Sequence, residues 1–439
     1  MQPMMLVLVM ASDLAAGGGH VQRLGRLTGR RGRALLCHMT LSQRITQITG
    51  GGSDGWDLFR KARRMIEAGI PVTELTIGEH DVRTDPDILD AMDRAARGGH
   101  TGYAAVPGIA ELRAEIARRV ETQSGVATTP ENVLVVPGGQ AGLYMAHLAV
   151  CDAGDGALYV DPFYATYPGT VRSAGAVALP VAARAEDGFV PRASDLEAAI
   201  DGHAGRVRSL LINTPNNPTG AVYGREALSR IGALCLRRDL WLISDEVYEG
   251  QVWDGEHLSP RALPELTDRT LVVGSMSKGH AMTGSRVGWI VGPEVAIEAL
   301  ENLATHMTYG IPGFVQDAAL HALRLGAAFE TRVAAPFRRR RDTAQRLVAA
   351  QDVVRAVPMQ GAMYALLDIR ATGLDGEAFA ETLLERERIA VMPGESFGQA
   401  AAGHVRVALT IEDTRFEAAL VQLLALAAEL AGELARERA

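Results

Sequence analysis

The residues best suited to chemistry surround one lysine. Lys278 follows the strand-like run 270–274 and lies in the stretch Ser275-Met-Ser277-Lys-Gly-His-Ala-Met-Thr-Gly-Ser-Arg286. A lysine amine at the end of a strand can condense with an aldehyde. The hydroxyls of Ser275 and Ser277, together with the guanidinium of Arg286, can hold a phosphate group. The spacing therefore suits a small aldehyde that carries a phosphate.

Two upstream segments carry polar side chains that suit the same chemistry. Asp245 and Tyr248 follow the apolar run 240–243, and Asn217 lies in the loop Asn-Thr-Pro-Asn-Asn-Pro-Thr-Gly that precedes this run. A carboxylate at the end of a buried strand projects into the cleft at the strands' carboxyl ends. There it can keep a ring nitrogen protonated. Taken alone, however, Asp245 also fits a surface position, and Asn217 also fits ordinary turn chemistry.

Together these three segments resemble the class I/II aminotransferases of fold type I, the aspartate aminotransferase-like superfamily of enzymes dependent on pyridoxal 5'-phosphate. The resemblance runs from about residue 56 to the C-terminus. It implies that Lys278 carries the cofactor as an internal aldimine and serves as acid and base. It also implies that Asp245 pairs with the pyridine nitrogen, while Tyr248 and Asn217 bond the phenolic oxygen. The Asn217–Pro218 peptide bond is expected to be cis.

The resemblance also implies how the phosphate is held. Gly138, Gly139 and Gln140 follow a predicted strand and open a predicted helix, where backbone N–H groups can bind an anion. By itself such a turn is more often a plain connection. In the family this turn binds the phosphate together with a serine and an arginine at the positions of Ser275 and Arg286, and Ser277 adds a further contact.

The remaining site residues face the substrate, the cofactor ring or a second subunit. By the same resemblance, Tyr164 stacks on the ring, Arg406 grips the substrate carboxylate through two N–H groups, and the Gly78 backbone lies near that carboxylate. The chain has His80 where the family usually has proline, which leaves open whether His80 contacts substrate or is a loop residue. Tyr103 matches a tyrosine that reaches the neighbouring subunit's phosphate, so the expected unit is a homodimer.

Short apolar runs alternate with helical patterns from residue 133 onward. This alternation predicts an α/β fold, with a large cofactor-binding domain whose mostly parallel sheet is covered by helices on both faces. A smaller α+β domain should complete it. We expect the large domain at residues 85–330 and the small domain at 40–84 and 331–439. Residues 1–38 are expected to be a poorly ordered extension, or translation upstream of the natural start.

Composition limits the alternatives. A net charge of -8 argues against a nucleic-acid binder, and no uncharged apolar run approaches the ~18 residues of a membrane span. The three cysteines have no metal-like spacing, so we expect no metal and a reduced, cytoplasmic compartment. The run 338–341 of four arginines is expected on a solvated helix face, with an anion or partner site as the alternative.

The sequence predicts a transaminase that moves an amino group from an L-amino acid to a 2-oxo acid by a ping-pong mechanism. A β-lyase (C–S lyase) or a cyclopropane-forming relative would keep the same motifs and stays open. Gly394-Glu-Ser-Phe-Gly398 fits the GxSxG pattern of serine hydrolases, but the acid and histidine do not follow in the required order. A non-catalytic sensor would need a DNA-binding domain. The segment 302–310 lacks an arginine, which favours neutral or aromatic donors, or a broad range.

Overall fold

Residues 41–51 and 55–438 are the part of the chain that the computed structural model describes, and the chain from Gln43 onward forms one unit. The extension expected at residues 1–38 lies outside the described residues. The described strands, in chain order, are β1 (Thr73–Glu74), β2 (Val133–Val136), β3 (Gly156–Asp161), β4 (Val177–Ala182), β5 (Val207–Asn213), β6 (Trp241–Asp245), β7 (Thr270–Ser275), β8 (Gly288–Val291), β9 (Arg355–Ala356), β10 (Tyr364–Asp368), β11 (Ile389–Ala390), β12 (Met392–Pro393) and β13 (His404–Ala408).

Seven of these strands form one large sheet in the order β2-β8-β7-β6-β5-β3-β4. The strands β7, β6, β5, β3 and β4 are mutually parallel, while β8 runs antiparallel to both of its neighbours. The predicted, mostly parallel sheet is therefore confirmed. Its central strands read as continuous apolar runs because both of their faces are buried.

Helices cover both faces of this sheet. Those of the described chain are Gln43–Thr46, Asp57–Glu67, Pro86–Arg97, Ala110–Ser124, Gly139–Val150, Tyr167–Ser173, Ala193–Gly202, Arg225–Arg237, Met276–Gly279, Glu294–Met307, Gly313–Arg324, Gly326–Ala349, Gly376–Glu387 and Asp413–Arg438. Val133 and Val135 pack in the same apolar cluster as helix Ala110–Ser124. Leu134 and Val136 pack with helix Gly139–Val150 in another. Successive residues of one strand thus serve opposite faces.

A second sheet lies in the C-terminal part of the chain. Its four antiparallel strands have the order β12-β13-β10-β9, and its core includes Phe379, Leu383, Phe416 and Leu420 from two flanking helices. Strand β1, near the N-terminus of the described chain, pairs with β11, so residues from both ends of the chain meet here. The exact boundaries of the two predicted domains stay a prediction.

The arginine run 338–341 corrects one expectation. Arg340 and Arg341 are buried, not solvated. Arg340 donates to both carboxylate oxygens of Asp81, at 3.1 and 2.7 Å, and to Asp413 at 2.7 Å. Arg341 donates to the carboxylate of Asp254. Two of the four arginines, Arg340 and Arg341, therefore connect the helix Gly326–Ala349 to other parts of the protein.

The helix Asp413–Arg438 is long and apolar enough, by length and composition alone, to cross a membrane. Its residues Phe416, Leu420, Leu423 and Ala427 are buried in the core around the second sheet. A core helix of a folded unit passes the same test. The packing of these four side chains is the arrangement expected of such a core helix.

Candidate active site

The carboxyl ends of three neighbouring strands bring the predicted residues together. Asn213 of β5 lies opposite Asp245 of β6, and Asp245 lies opposite Val273 of β7. Lys278 follows β7 directly, in the short helix Met276–Gly279. Because parallel strands end at one edge of a sheet, residues that are far apart in sequence meet there.

This edge opens into a cavity of about 270 Å³. The predicted site residues that line it are Gly78, Gly139, Gln140, Tyr164, Asn217, Asp245, Tyr248, Ser275, Ser277, Lys278, Arg286 and Arg406. Gly138 adjoins the cavity, and Tyr103 does not line it. Most of the predicted set therefore converges on one place.

Asp245 is a buried carboxylate held by neutral donors. The Tyr167 hydroxyl donates to one oxygen at 2.6 Å, and the Val247 N–H donates to the other at 3.3 Å. Burial raises the pKa of Asp245 to about 6, although the Tyr167 hydrogen bond opposes this. A cationic partner would stabilise the ionised form, which is what a protonated ring nitrogen supplies.

Lys278 is the buried amine of the cavity. It donates a hydrogen bond to the backbone carbonyl of Gly78. Burial lowers the pKa of Lys278, and the charges of Arg406 and Arg286 lower it further, while Tyr364 and Glu79 act in the opposite direction. A lowered pKa increases the neutral fraction of the amine, and the neutral amine is the nucleophile and the base.

The residues predicted to bind the phosphate, which we call the cradle, are Gly138–Gln140, Ser275, Ser277 and Arg286. This cradle requires a glycine at position 138. Gly138 has φ of +82°, and a Cβ added there would lie 2.3 Å from Nη2 of Arg286. Ser275 Oγ lies 3.0 Å from Ser277 Oγ and accepts the Ser277 N–H at 3.1 Å. The Arg286 guanidinium donates to the Thr283 carbonyl at 2.9 Å. Backbone, hydroxyls and guanidinium therefore face one space without a side chain in between.

Arg406 lines the same cavity and is held by several contacts. Its Cζ lies 4.3 Å from the ring centroids of both Tyr364 and Phe397. It donates to Asn217 Oδ1 at 2.9 Å and to the Thr76 carbonyl, and its buried Nε has no hydrogen-bond partner among the described residues. Burial lowers its pKa. A substrate carboxylate would supply the missing acceptor and a counter-charge.

Comparison with known proteins decides the family. The family model of aminotransferase classes I and II matches residues 70–423. An arginine–pyruvate transaminase of Pseudomonas aeruginosa is 39% identical, covering 90% of this chain and 100% of that protein. An aspartate/prephenate aminotransferase of Thermus thermophilus is 37% identical, covering 82% of this chain and 92% of that protein.

The chain belongs to the class I and II aminotransferases.

Solved structures agree with this membership. A double mutant of the aspartate aminotransferase from Thermus thermophilus has a TM-score of 0.82 at 35% identity, covering 88% of this chain and 99% of that chain. An aromatic aminotransferase from Pyrococcus horikoshii has a TM-score of 0.76 at 30% identity, covering 86% and 99%. The protein is a transaminase, and the lyase alternative is not favoured.

Two residues that the sequence reading missed complete this aminotransferase site. Tyr167 is the first residue of the helix Tyr167–Ser173, and its hydroxyl donates to Asp245. The Tyr364 hydroxyl lies 2.9 Å from that of Tyr248, and a Cβ at Gly78 would collide with it. Tyr167 gave no signal of its own in the sequence, because its contact with Asp245 joins residues 78 positions apart. Tyr364 required knowledge of the strand register.

His80 packs beside the cavity and does not line it. Its ring meets that of Phe337 edge-on at a centroid distance of 4.9 Å. Burial, followed by the charge of Lys278, lowers the pKa of His80 to about 4, so the imidazole is neutral at pH 7. The structure thus favours a packing role at this position.

Tyr103 is 91% exposed and lies away from the cavity of its own chain. Its ring contacts that of Tyr309 edge-on at 5.1 Å, and Tyr309 is itself 54% exposed. Two neighbouring aromatic rings in contact with solvent form an uncommon surface for an isolated chain.

Proposed function

We propose that this transaminase binds pyridoxal 5'-phosphate through Lys278 and transfers the amino group of an L-amino acid to a 2-oxo acid. The observation that carries the proposal is the meeting of Lys278, Asp245, Arg286 and Arg406 in one cavity. An amine, a buried carboxylate and two guanidinium groups in this arrangement match an aldehyde cofactor with a ring nitrogen and a phosphate, and a substrate with a carboxylate.

Each residue would hold a different part of the cofactor. The phosphate would lie between the Gly138–Gln140 turn, the serines before Lys278 and Arg286. Asp245 would accept a hydrogen bond from the protonated pyridine nitrogen, while Tyr248 and Asn217 would approach the phenolic oxygen. The bound cofactor supplies an electron sink for the substrate α-carbon. Two observations support the fit of the cofactor to these residues. Asp245 has uncharged hydrogen-bond donors, the Tyr167 hydroxyl and the Val247 N–H, and position 138 of the cradle requires a glycine.

The chain's own groups then position the substrate and move one proton. Arg406, fixed between two aromatic rings, grips the α-carboxylate and so orients the α-carbon towards Lys278. The Lys278 amine takes the α-proton as base and returns a proton as acid. Its lowered pKa increases the fraction of the amine that is neutral. In the second half-reaction a 2-oxo acid takes the donor's place and the same residues act in reverse.

The lysine content permits a direct test of this assignment. The chain contains two lysines, Lys61 and Lys278. Borohydride reduction of the purified yellow protein should fix the cofactor covalently on the peptide that contains Lys278, as read by mass spectrometry. Lys278→Ala should abolish the visible band and turnover.

Lys61→Arg is the matched control, because Lys61 pairs with Glu381 and Glu385 at the surface. It should retain colour and activity. Label on Lys61, or turnover by Lys278→Ala, would overturn the proposal.

For the donor we propose amino acids with neutral or aromatic side chains, or a broad range that includes them. The segment 302–310 offers His306 but no arginine for a second carboxylate. A second candidate is arginine with pyruvate, which the relative from Pseudomonas aeruginosa favours by its name and its full-length match. Measuring turnover with leucine, phenylalanine, arginine or aspartate as donor, and pyruvate or 2-oxoglutarate as acceptor, would distinguish these two candidates. A clear preference for aspartate would refute both candidates.

We further propose that the enzyme is a cytoplasmic homodimer with shared sites. The exposed pair Tyr103 and Tyr309 supports an interface, and the reduced Cys151 and Cys235 support the compartment. Mixing inactive Lys278→Ala with impaired Tyr103→Ala protomers should restore part of the activity, because one site in each mixed dimer would be intact. A protein that sediments as an active monomer would contradict the proposal.

A further inference from the structure

A network of buried and partly buried ionisable side chains adjoins the two segments that carry Asp245 and Lys278. We call it the charge network and define it as Arg119, Glu246, Glu249, His257, His280 and Glu330. Glu246 and Glu249 belong to the turn that follows Asp245, and His280 lies two residues after Lys278. None of the six lines the cavity, so the mechanism described above does not use them.

The turn after Asp245 is fastened at both of its ends. At the first end, Glu246 accepts a hydrogen bond from Ser259 Oγ at 2.8 Å, and its other oxygen lies 3.0 Å from His257 Nε2. At the second end, Glu249 lies 2.8 Å from the guanidinium of Arg119. The side chain of Tyr248, which lines the cavity, projects from between these two anchors.

The segment 276–280, which carries Lys278 and is called the Lys278 segment below, is connected to the same arginine through Glu330. Arg119 donates through two nitrogens to both carboxylate oxygens of Glu330, at 2.6 and 2.9 Å. Glu330 in turn lies 3.4 Å from Nε2 of His280, although this nitrogen makes no hydrogen bond among the described residues, and the His280 ring stacks on Phe329 at 5.9 Å. The guanidinium on helix Ala110–Ser124 thereby contacts the Asp245 turn directly and approaches the Lys278 segment through Glu330.

The charges show why an arginine occupies this position. Burial would raise the pKa of Glu330, yet His280 and Arg119 together lower it to about 2. Glu330 therefore faces Arg119 as a carboxylate, and Glu249 contacts the same guanidinium. A planar guanidinium can bind both oxygens of Glu330 through two N–H groups while a further N–H reaches Glu249. Without the guanidinium of Arg119, the partly buried side chains of Glu249 and Glu330 would lose the positive charge that both contact. That loss would destabilise the protein.

We propose that Arg119 is a positioning residue that fixes the distance between Asp245 and Lys278, and so determines how tightly the cofactor is held and how well it is aligned. The inference rests on the function proposed above, because it assigns Asp245 and Lys278 to two ends of one cofactor. It adds a residue that contacts neither the cofactor nor the substrate.

Arg119→Lys tests the bridge while it keeps the positive charge. A lysine ammonium is a point charge on a flexible stem and cannot hold both carboxylates in the geometry of the arginine. Titration of the apoprotein with pyridoxal 5'-phosphate, followed by the visible band, should show at least a roughly tenfold loss of affinity. The kcat should fall by about tenfold to 100-fold, as expected for a misplaced reacting group, and the position of the band should shift.

Arg113→Lys is the matched control on the same helix. Arg113 is also partly buried, but it donates to the backbone carbonyls of Val133 and Pro130, outside the charge network. Its substitution should lower the melting temperature of the apoprotein and leave cofactor affinity within about twofold of the original. A purely structural role of Arg119 would instead make affinity follow melting temperature in both variants.

Glu330→Gln supplies a second variant in case Arg119→Lys does not fold. It keeps the Arg119–Glu249 pair and loosens only the Lys278 side, so an intermediate loss of affinity is expected. Original affinity in both Arg119→Lys and Glu330→Gln would overturn the inference, as would an equal loss in Arg113→Lys. Failure of the unmodified protein to bind the cofactor would overturn the proposed function itself, which is a distinguishable result.

Discussion

Asp245→Asn should stabilise the cofactor-free protein, although it removes a residue that the proposed mechanism needs. In the cofactor-free chain the carboxylate is buried beside neutral donors, and burial raises its pKa from 3.8 to about 6. By linkage, a rise of this size corresponds to about 3 kcal/mol of lost stability once the group is ionised in both states. An amide of the same shape avoids this penalty. It can accept the Val247 N–H and donate to the Tyr167 hydroxyl.

The raised pKa of Asp245 determines how its contribution to the free energy of unfolding changes with pH. An acid with a raised pKa in the folded state favours folding below its unfolded value, and this contribution is lost as the pH rises through the folded value. For Asp245 the window runs from about pH 4 to about pH 6. The penalty works out as about 1.6 kcal/mol at pH 5 and about 3 kcal/mol at pH 7.5. The advantage of Asp245→Asn should therefore grow by about 1.4 kcal/mol between these two values.

Urea unfolding of the two apoproteins at pH 5 and pH 7.5, at equal protein concentration, measures this difference. Asp155→Asn is a control of opposite sign, because a hydrogen bond from Arg206 lowers the pKa of Asp155. That variant should lose stability, and the loss should be nearly the same at pH 5 and pH 7.5, because both values lie above the ordinary pKa of an aspartate. The two substitutions remove the same charge, so net charge cannot account for effects of opposite sign.

Adding pyridoxal 5'-phosphate should reduce the stability advantage of Asp245→Asn over the original protein. The protonated ring nitrogen would supply the cation that the buried carboxylate lacks, and losing one partner of a buried charge pair costs about 2–5 kcal/mol. Cofactor affinity should therefore fall at least about 30-fold in the variant. If the Asp245→Asn apoprotein were less stable at both pH values, or if its advantage did not change with pH, the carboxylate would not be the buried anion described here.

Three further substitutions test other contacts of the structure. Tyr167→Phe removes a hydrogen bond to the Asp245 carboxylate and should cost about 1–3 kcal/mol of apoprotein stability at pH 7.5 in urea unfolding; an unchanged midpoint would contradict the contact. Arg406→Lys should raise the KM for the amino donor by about 100-fold without moving the visible band, so a changed band with an unchanged KM would refute its assignment to the carboxylate. Arg340→Met should destabilise the protein by about 3 kcal/mol, because it leaves the partly buried Asp81 without its cation; a melting temperature within about 1 °C of the original would show that the pair contributes little.

The sequence allowed the large sheet to be predicted because its signals are local. Several central strands are short apolar runs whose last residue is polar, as with Asp245 at the end of β6 and Ser275 at the end of β7. Parallel strands must end at one edge. The strand ends therefore converge on one cavity without any knowledge of the loops between them, as Asn213 and Asp245 do.

The contacts between side chains of the second sheet could not be predicted in this way. Leu366 is the direct partner of Arg406 across β10 and β13, and Tyr364 is the diagonal neighbour two residues away. Diagonal neighbours are close enough for an aromatic ring to reach a guanidinium. The pair becomes visible only once the register is known, because the two residues are 42 positions apart in the sequence.

The burial of charged side chains was the feature that the local sequence pattern predicted least well. A run of four arginines on a helix suggests a solvated face, yet Arg340 is 4% exposed and its partner Asp81 lies 259 residues away. The same holds for Arg119, whose two carboxylates are 130 and 211 residues distant. A charge is buried only where a partner stabilises it, so its burial depends on the tertiary structure and not on its neighbours in the chain. In both cases the buried arginine joins a segment of the cavity to a helix outside it. The long-range charge pairs thereby hold in place residues whose identity the sequence had already indicated.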